Sequence, residues 1–247
     1  MKEIEGKNYY SIDEIHEKLG GKVKKERIKE YFESKHLQGK LIENMWYGEE
    51  DSPEDVAFLE RSVMVGRLNL DLTKINLKGR ILDIGGGGEG VIGQLKGAQV
   101  VAIDIYAREL EEAAEGEYLK VIMDAKDLKF LDEYFDTVTA FFCLMYVPPS
   151  DREKIFQEVQ RVLKKGGEFI VWDLIIPKKS DKEKSKRYYG IMLSINIGEK
   201  EIATGYAIRW NKAQNYDNYT SLGKEVGLIV KDHLISEHTF YIKFVKN

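Results

Sequence analysis

Residues 80–90 read RILDIGGGGEG, an apolar strand from Arg80 to Ile84 that carries one acid, Asp83, and runs into four glycines, Glu89 and Gly90. Val91, Ile92 and Leu95 follow at helical spacing. Glycine lets the chain turn sharply and lets a ligand approach main-chain atoms without meeting a Cβ. A strand, glycine turn and helix in that order place such a ligand at the carboxyl edge of a parallel sheet. The alternative is a tight strand-to-helix turn that binds nothing.

The same alternation continues outward. Apolar runs at 80–84, 99–104, 118–123, 135–142, 167–174, 228–235 and 238–245 predict an α/β fold built on a seven-stranded, mostly parallel, doubly wound sheet. Only a few polar residues separate the last two runs, which therefore pair antiparallel at the sheet edge. After the fifth strand the pattern is interrupted by KKSDKEKSKR at 178–187, six bases against two acids, opening an inserted segment near 178–216.

Upstream the texture differs. Ser11 and Glu14 form a capping-box pattern, with Ile12, Ile15 and Leu19 on one helical face before Gly20 and Gly21. A second helix from about Lys24 to Ser34 turns Ile28, Tyr31 and Phe32 inward. Residues 37–42 and 44–47 predict a hairpin turning at Glu43 and Asn44, and Ser52 with Pro53 starts a third helix carrying Val56, Leu59 and Val63. The division is a small domain at 1–62, a helical linker at 63–76 and a sheet domain at 77–247. The chain's 247 residues, about 1.6 domains at about 150 residues each, suit that division.

Composition narrows the class. With 43% hydrophobic residues and four prolines there is material for a packed core and no signature of disorder. A net charge of −4 argues against a polycation that holds nucleic acid by phosphate neutralisation. One cysteine, Cys143, excludes an intrachain disulfide or a cysteine-rich zinc site, and its place in an apolar strand makes it a small core residue. His16, His36, His233 and His238 lack metal-ligand spacing, so no metal is expected. The opening MKEIEGK is not a signal core, and the longest nearly apolar run, Val138 to Val147, is too short to span a bilayer. A cytoplasmic protein without membrane contact is expected.

Gly85, Gly87 and Gly90 satisfy G-x-G-x-x-G, and Asp104 ends the next strand where a dinucleotide enzyme keeps its ribose-binding acid, so an NAD-dependent oxidoreductase is one reading. Asp83 argues against it. A carboxylate at the tip of the first strand meets a pyrophosphate with like charge but suits a ligand carrying an ammonium and a sulfonium, as S-adenosylmethionine does. The chain resembles the class I methyltransferase family through ILDIGGGG, VVAIDIY, MDAKDL, FDTVTAFFCLMYV and RVLKKGGEFIVWD, in order at normal spacing across about 75–247. That resemblance implies S-adenosylmethionine as cofactor. Asp83, Gly85 and Gly87 would hold its amino-acid end and Asp104 both ribose hydroxyls. Ile105 would lie on the adenine face, Asp124 and Ala125 at the ring edge, and Phe141 by the methionine portion. Glu89 stands where the family usually has its third glycine.

Methyl transfer from a sulfonium asks mainly for orientation and desolvation, so no conspicuous catalytic residue is required. Tyr146, Trp172 and Asp173 fall where the family's acceptors meet the methyl group, and Tyr146 and Asp173 are the catalytic candidates. The insertion, with Tyr188, Tyr189, Tyr206, Arg209 and Trp210, predicts either a lid whose aromatics line an acceptor pocket and whose bases select an anion, or a solvated loop. Base methylators of nucleic acid resemble Asp/Asn-Pro-Pro-aromatic after strand four, or place a cysteine beside proline there. Tyr146-Val147-Pro148-Pro149-Ser150 does neither. A small-molecule acceptor is expected.

Residues 9–60 resemble the excisionase or MerR-like winged helix-turn-helix family, whose second helix enters the major groove. Residues 22–40 hold seven bases against three acids, yet residues 1–60 carry 10 bases against 15 acids. Two readings follow: a DNA-binding regulator that senses S-adenosylmethionine or S-adenosylhomocysteine, or an enzyme in which the helix-turn-helix has become a lid or dimerisation surface. The overall acidity favours the enzyme.

Overall fold

The computed structural model describes residues 1–4 and 6–247. The chain forms two compact units, Met1–Met64 with Ser180–Tyr189, and Val65–Lys179 with Gly190–Asn247.

In the first unit, β1 (Lys2–Ile4), β2 (Lys7–Ser11), β3 (Gly39–Ile42) and β4 (Met45–Glu49) form an antiparallel sheet in the order β1-β2-β4-β3. α1 (Ile12–Lys18), α2 (Lys25–Glu33) and α3 (Ser52–Glu60) complete it. The expected capping box forms, the Glu14 amide donating to Ser11 Oγ and the Ser11 amide to Glu14 Oε2. Glu43 and Asn44 both take positive φ, as a two-residue hairpin turn demands. Ile15, Ile28, Tyr31, Phe32, Val56 and Leu59 make the core, with Trp46 stacked on Phe32 at 5.3 Å. Sequence patterning missed β1 and β2, because β2 gains its partners from β1 and from the distant β4.

The expected helical linker at 63–76 is instead mostly strand, β5 (Ser62–Asp71). Val63 and Val65 are β-branched, and half-buried Leu68 and Leu70 alternate with exposed Arg67, Asn69 and Asp71, a period of two that no helix uses. β5 pairs with β11 (Tyr188–Asn196), which pairs with β12 (Glu201–Arg209), in a three-stranded sheet. The insertion is therefore built around a β-hairpin. Its part at 180–189 clusters with the first unit, which corrects the expectation that all of it belongs to the sheet domain.

The larger sheet has seven strands: β6 (Ile81–Ile84), β7 (Val100–Asp104), β8 (Leu119–Ile122), β9 (Phe135–Phe141), β10 (Leu163–Leu174), β13 (Leu228–Ile235) and β14 (Thr239–Lys246). Their order is β13-β14-β10-β9-β6-β7-β8, and β8, β7, β6, β9 and β10 are mutually parallel. β14 runs antiparallel to both β10 and β13, as expected for the last pair. The helices α4 (Val91–Lys96), α5 (Ala107–Glu112), α6 (Pro149–Val162) and α7 (Tyr216–Glu225) flank the sheet sequence. Pro148 and Pro149 serve as the start of α6, where a missing amide costs nothing. From α6, Phe156 meets Phe169 at 5.3 Å and Phe244 at 6.0 Å, ring to edge, in the core between helix and sheet. The chain builds outward from β6 through β7 and β8, then crosses back to β9, which puts the topological switch point, where such sheets bind ligands, at the carboxyl ends of β6 and β9.

Candidate functional site

Asp83 is the third of four residues in β6, with Ala102 of β7 on one side and Thr139 of β9 on the other. It is 2% exposed, and Thr139 Oγ1 donates to its Oδ1 at 2.6 Å. Among the described residues no cation pairs with it. Burial pushes its pKa up to about 7, against the Thr139 bond and with help from Asp104. A carboxylate buried without a protein counter-ion is costly and becomes favourable when paired with a cation.

The glycines that follow are crowded by the protein itself. A Cβ on Gly85 would lie 2.4 Å from that of Cys143, one on Gly87 2.5 Å from that of Glu109, and one on Gly90 2.4 Å from the Tyr118 hydroxyl. Gly85, Gly88 and Gly90 also take positive φ. The turn's own packing thus accounts for these residues before any ligand is considered. The Gly85 and Gly86 amides both donate to the Ile103 carbonyl, at 2.8 and 3.0 Å, which ties the turn to β7. Cys143, opposite Gly85, is held well above its ordinary pKa by burial and behaves as the packing residue expected.

Asp104 ends β7, and its Oδ1 accepts from the Tyr106 amide at 3.0 Å. Its carbonyl accepts from Met123 at 2.9 Å, bringing the 123–125 loop beside it. Asp124 caps its own turn, accepting the Lys126 amide at 2.9 Å, while Lys126 Nζ bonds Asp151 at 2.8 Å. Ala125 packs on the core and Ile105, apolar, is exposed at the rim. The residues expected to hold a cofactor are therefore gathered along the carboxyl ends of β6, β7 and β8. Phe141 ends β9 beside Trp172 of β10, with their rings 5.5 Å apart.

The acceptor candidates divide. Tyr146 lies in a 3₁₀ turn (Leu144–Tyr146) after β9 and is half exposed. Its hydroxyl sits among protein atoms, bonded to the Ala207 backbone, and burial raises its pKa with Asp173, Glu89 and Glu109 adding. Trp172 packs between Phe141 and Tyr241. Asp173 is fully buried, with Oδ1 accepting from the Leu174 amide and Oδ2 from the Tyr219 hydroxyl, each at 2.8 Å. Burial pushes its pKa up to about 6. Gln214 Oε1 accepts from Arg152 and lies 3.1 Å from the Tyr219 hydroxyl, so Asp173 belongs to an internal strut and not to an open surface. Tyr188 packs on Phe58 within the first unit, and Tyr189 is buried. Trp210 is also buried and donates to the Pro177 carbonyl at 2.8 Å. In the basic run, Lys184 pairs with Asp181 and Lys186 donates to the Glu60 carbonyl within the first unit. In the other basic segment, Lys25 pairs with Asp13, Arg27 with Glu30 and Lys29 with Glu33.

Sequence reasoning did not foresee the partners of Glu89. Thr204 Oγ1 donates to its Oε1 and the Tyr206 hydroxyl to its Oε2 at 2.8 Å, both from β12. The same Tyr206 ring stacks on Phe142 at 5.4 Å and 6°. Phe142 has φ +49, which a bulky residue rarely adopts, and this backbone turn at the tip of β9 is fixed by its amide donating to the Trp172 carbonyl. Beside Glu89 lies a cleft of about 430 Å³ lined by Gly88, Glu89, Gln94, Glu112, Ala114 and Ile202. The signal was the acid itself, standing in a glycine run where nothing local needs it.

Residues 82–171 match the family model described as a methyltransferase domain. Over 117 residues the chain is 36% identical to the sterol 4-C-methyltransferase strm-1 of Caenorhabditis elegans, covering 43% of this chain and 34% of that protein. Over 146 residues it is 31% identical to the ubiquinone/menaquinone biosynthesis C-methyltransferase UbiE of Vibrio parahaemolyticus, covering 54% and 56%. The chain thus spans about a third to about half the length of these curated relatives. In fold it resembles a SAM-dependent methyltransferase from Methanosarcina mazei, with TM-score 0.53 and 18% identity over 72% of this chain and 99% of the other. It also resembles an S-adenosylmethionine-dependent methyltransferase from Mesorhizobium loti, with TM-score 0.50 and 14% identity over 70% and 94%. The likeness to these two structures is one of fold.

Proposed function

We propose that this chain is an S-adenosylmethionine-dependent methyltransferase acting on a small-molecule acceptor. One observation carries the reading: Asp83 is buried at the switch point of a doubly wound sheet, its pKa raised and no cation beside it among the described residues. The ammonium of a bound S-adenosylmethionine is the counter-ion that this site wants, whereas a pyrophosphate would add like charge. When bound, the cofactor supplies a methyl group on an electrophilic sulfonium.

The chain's own residues then have separate tasks. Asp83 binds the ammonium, and Asp104, whose carboxylate is already oriented by the Tyr106 amide, accepts from the ribose hydroxyls. Ile105 offers an apolar face to the adenine, with Asp124 and Ala125 at its edge. Gly85 and Gly87 keep the turn tight enough to present Asp83. Phe141, Phe142, Trp172 and Tyr146 give the acceptor side an aromatic wall, which excludes water and orients a flat or apolar molecule. Tyr146 offers its half-exposed ring to that side, its hydroxyl being bonded to the Ala207 backbone. The relatives are named for sterol methylation and for ubiquinone/menaquinone biosynthesis, which supports an acceptor of that kind.

Incubation with methyl-labelled S-adenosylmethionine and a panel of sterols, quinols, phenols and amines tests the reading. Label should enter at least one acceptor with stoichiometric release of S-adenosylhomocysteine. Failure to bind the cofactor at all would remove it.

A further inference from the structure

We propose that Glu89 is a positioning residue that fastens the β11–β12 hairpin across the switch-point crevice, closing the site over its cofactor. The proposal rests on the assignment of S-adenosylmethionine to that crevice. Thr204 and Tyr206 are two apart in β12 and so share one face, and both donate to the same carboxylate. Glu89 is itself held at the end of the glycine turn, where its carbonyl accepts from Gln94 Nε2 at 2.7 Å. The turn that presents Asp83 is thereby tied to the hairpin.

The same strand grips the other lip. Tyr206 stacks on Phe142 and Ala207 meets the Tyr146 hydroxyl through its backbone, both just beyond the tip of β9. β6 and β9 are adjacent parallel strands, so one hairpin strand bridges the two lips of the crevice between them. On the β9 side the grip is aromatic. On the glycine side it is a pair of hydrogen bonds to one carboxyl group, which can open and re-form as ligand entry and product release require. A glycine at position 89, the family's habit, would leave the hairpin attached to one lip only.

The test begins with the wild-type protein, whose titration with S-adenosylmethionine establishes the underlying assignment separately. Cofactor dissociation is then measured by stopped-flow displacement in E89A, E89Q and the double variant T204V/Y206F. Hydrogen exchange is read at residues 201–207 without ligand. E89A and the double variant should release cofactor about tenfold faster or more and exchange faster at 201–207, with E89Q between them and wild type. Because the exchange arm needs no cofactor, it tests the fastening even if the cofactor assignment fails. Unchanged exchange at 201–207 in E89A and E89Q, or dissociation within about twofold of wild type in both, would overturn the proposal. Should T204V/Y206F fail to fold, E89Q decides.

Discussion

Thr139 hydrogen-bonds Asp83 at 2.6 Å across the β6–β9 ladder, and this neutral hydroxyl is what steadies a buried acid at the mouth of the site. The pair sits where the sheet reverses its winding, so the charge state of Asp83 governs what the crevice can hold. Thr139→Val keeps the shape and removes the donor. It should raise the Asp83 pKa further, weaken S-adenosylmethionine binding at pH 7 by about 1–3 kcal/mol and leave the fold intact. Calorimetric titration alongside thermal unfolding separates those effects.

Binding of S-adenosylmethionine should depend on pH through Asp83. Its pKa is about 7 in the ligand-free protein and must fall when an ammonium pairs with it. Affinity should therefore rise by up to about tenfold per unit from pH 5.5 toward 7 and flatten above, where Asp83 is already ionised. Stability of the ligand-free protein runs the other way. A carboxyl whose folded pKa is raised contributes fully below the ordinary value of about 4, and the contribution is lost as pH rises through about 7. Asp83→Asn should abolish both dependences; affinity in wild type that is flat from pH 5.5 to 7 would contradict the first.

Asp104→Ala should weaken S-adenosylmethionine binding by about 1–3 kcal/mol, since the carboxylate is proposed to accept from both ribose hydroxyls. The same change should barely alter melting temperature, because Asp104 is only partly buried and its side chain bonds the local Tyr106 amide. Unchanged affinity would remove Asp104 from the site.

Asp173 is the sharper test of catalysis. Its two oxygens are taken by Leu174 and Tyr219, so Asp173→Asn should change kcat by less than about fivefold once an acceptor is found. It should cost about 1–3 kcal/mol of stability, as buried partners lose their matched donor and acceptor. A general base would show a loss of about a hundredfold or more.

Much of this was legible in the sequence because it depends on local order. The seven sheet strands, the Ser11–Glu14 cap and the Glu43–Asn44 turn follow from period, cap and turn chemistry within a few residues. The carboxyl-edge acids Asp83 and Asp104 were legible for the same reason, since strand ends are marked by the glycines and turns after them. What was hidden depends on partners far along the chain. β5 became a strand because β11 pairs with it, and Glu89 gained a task only when residues 204 and 206 met it. Asp173, a candidate base by position, has its Oδ2 bonded by Tyr219, 46 residues later.

The central claim is that the crevice holds S-adenosylmethionine. Calorimetric titration of the whole chain with S-adenosylmethionine, S-adenosylhomocysteine and NAD tests it most directly. Saturable binding of the first two, weakened by Asp83→Asn, with no binding of NAD is the expected result; binding of NAD alone would overturn the assignment.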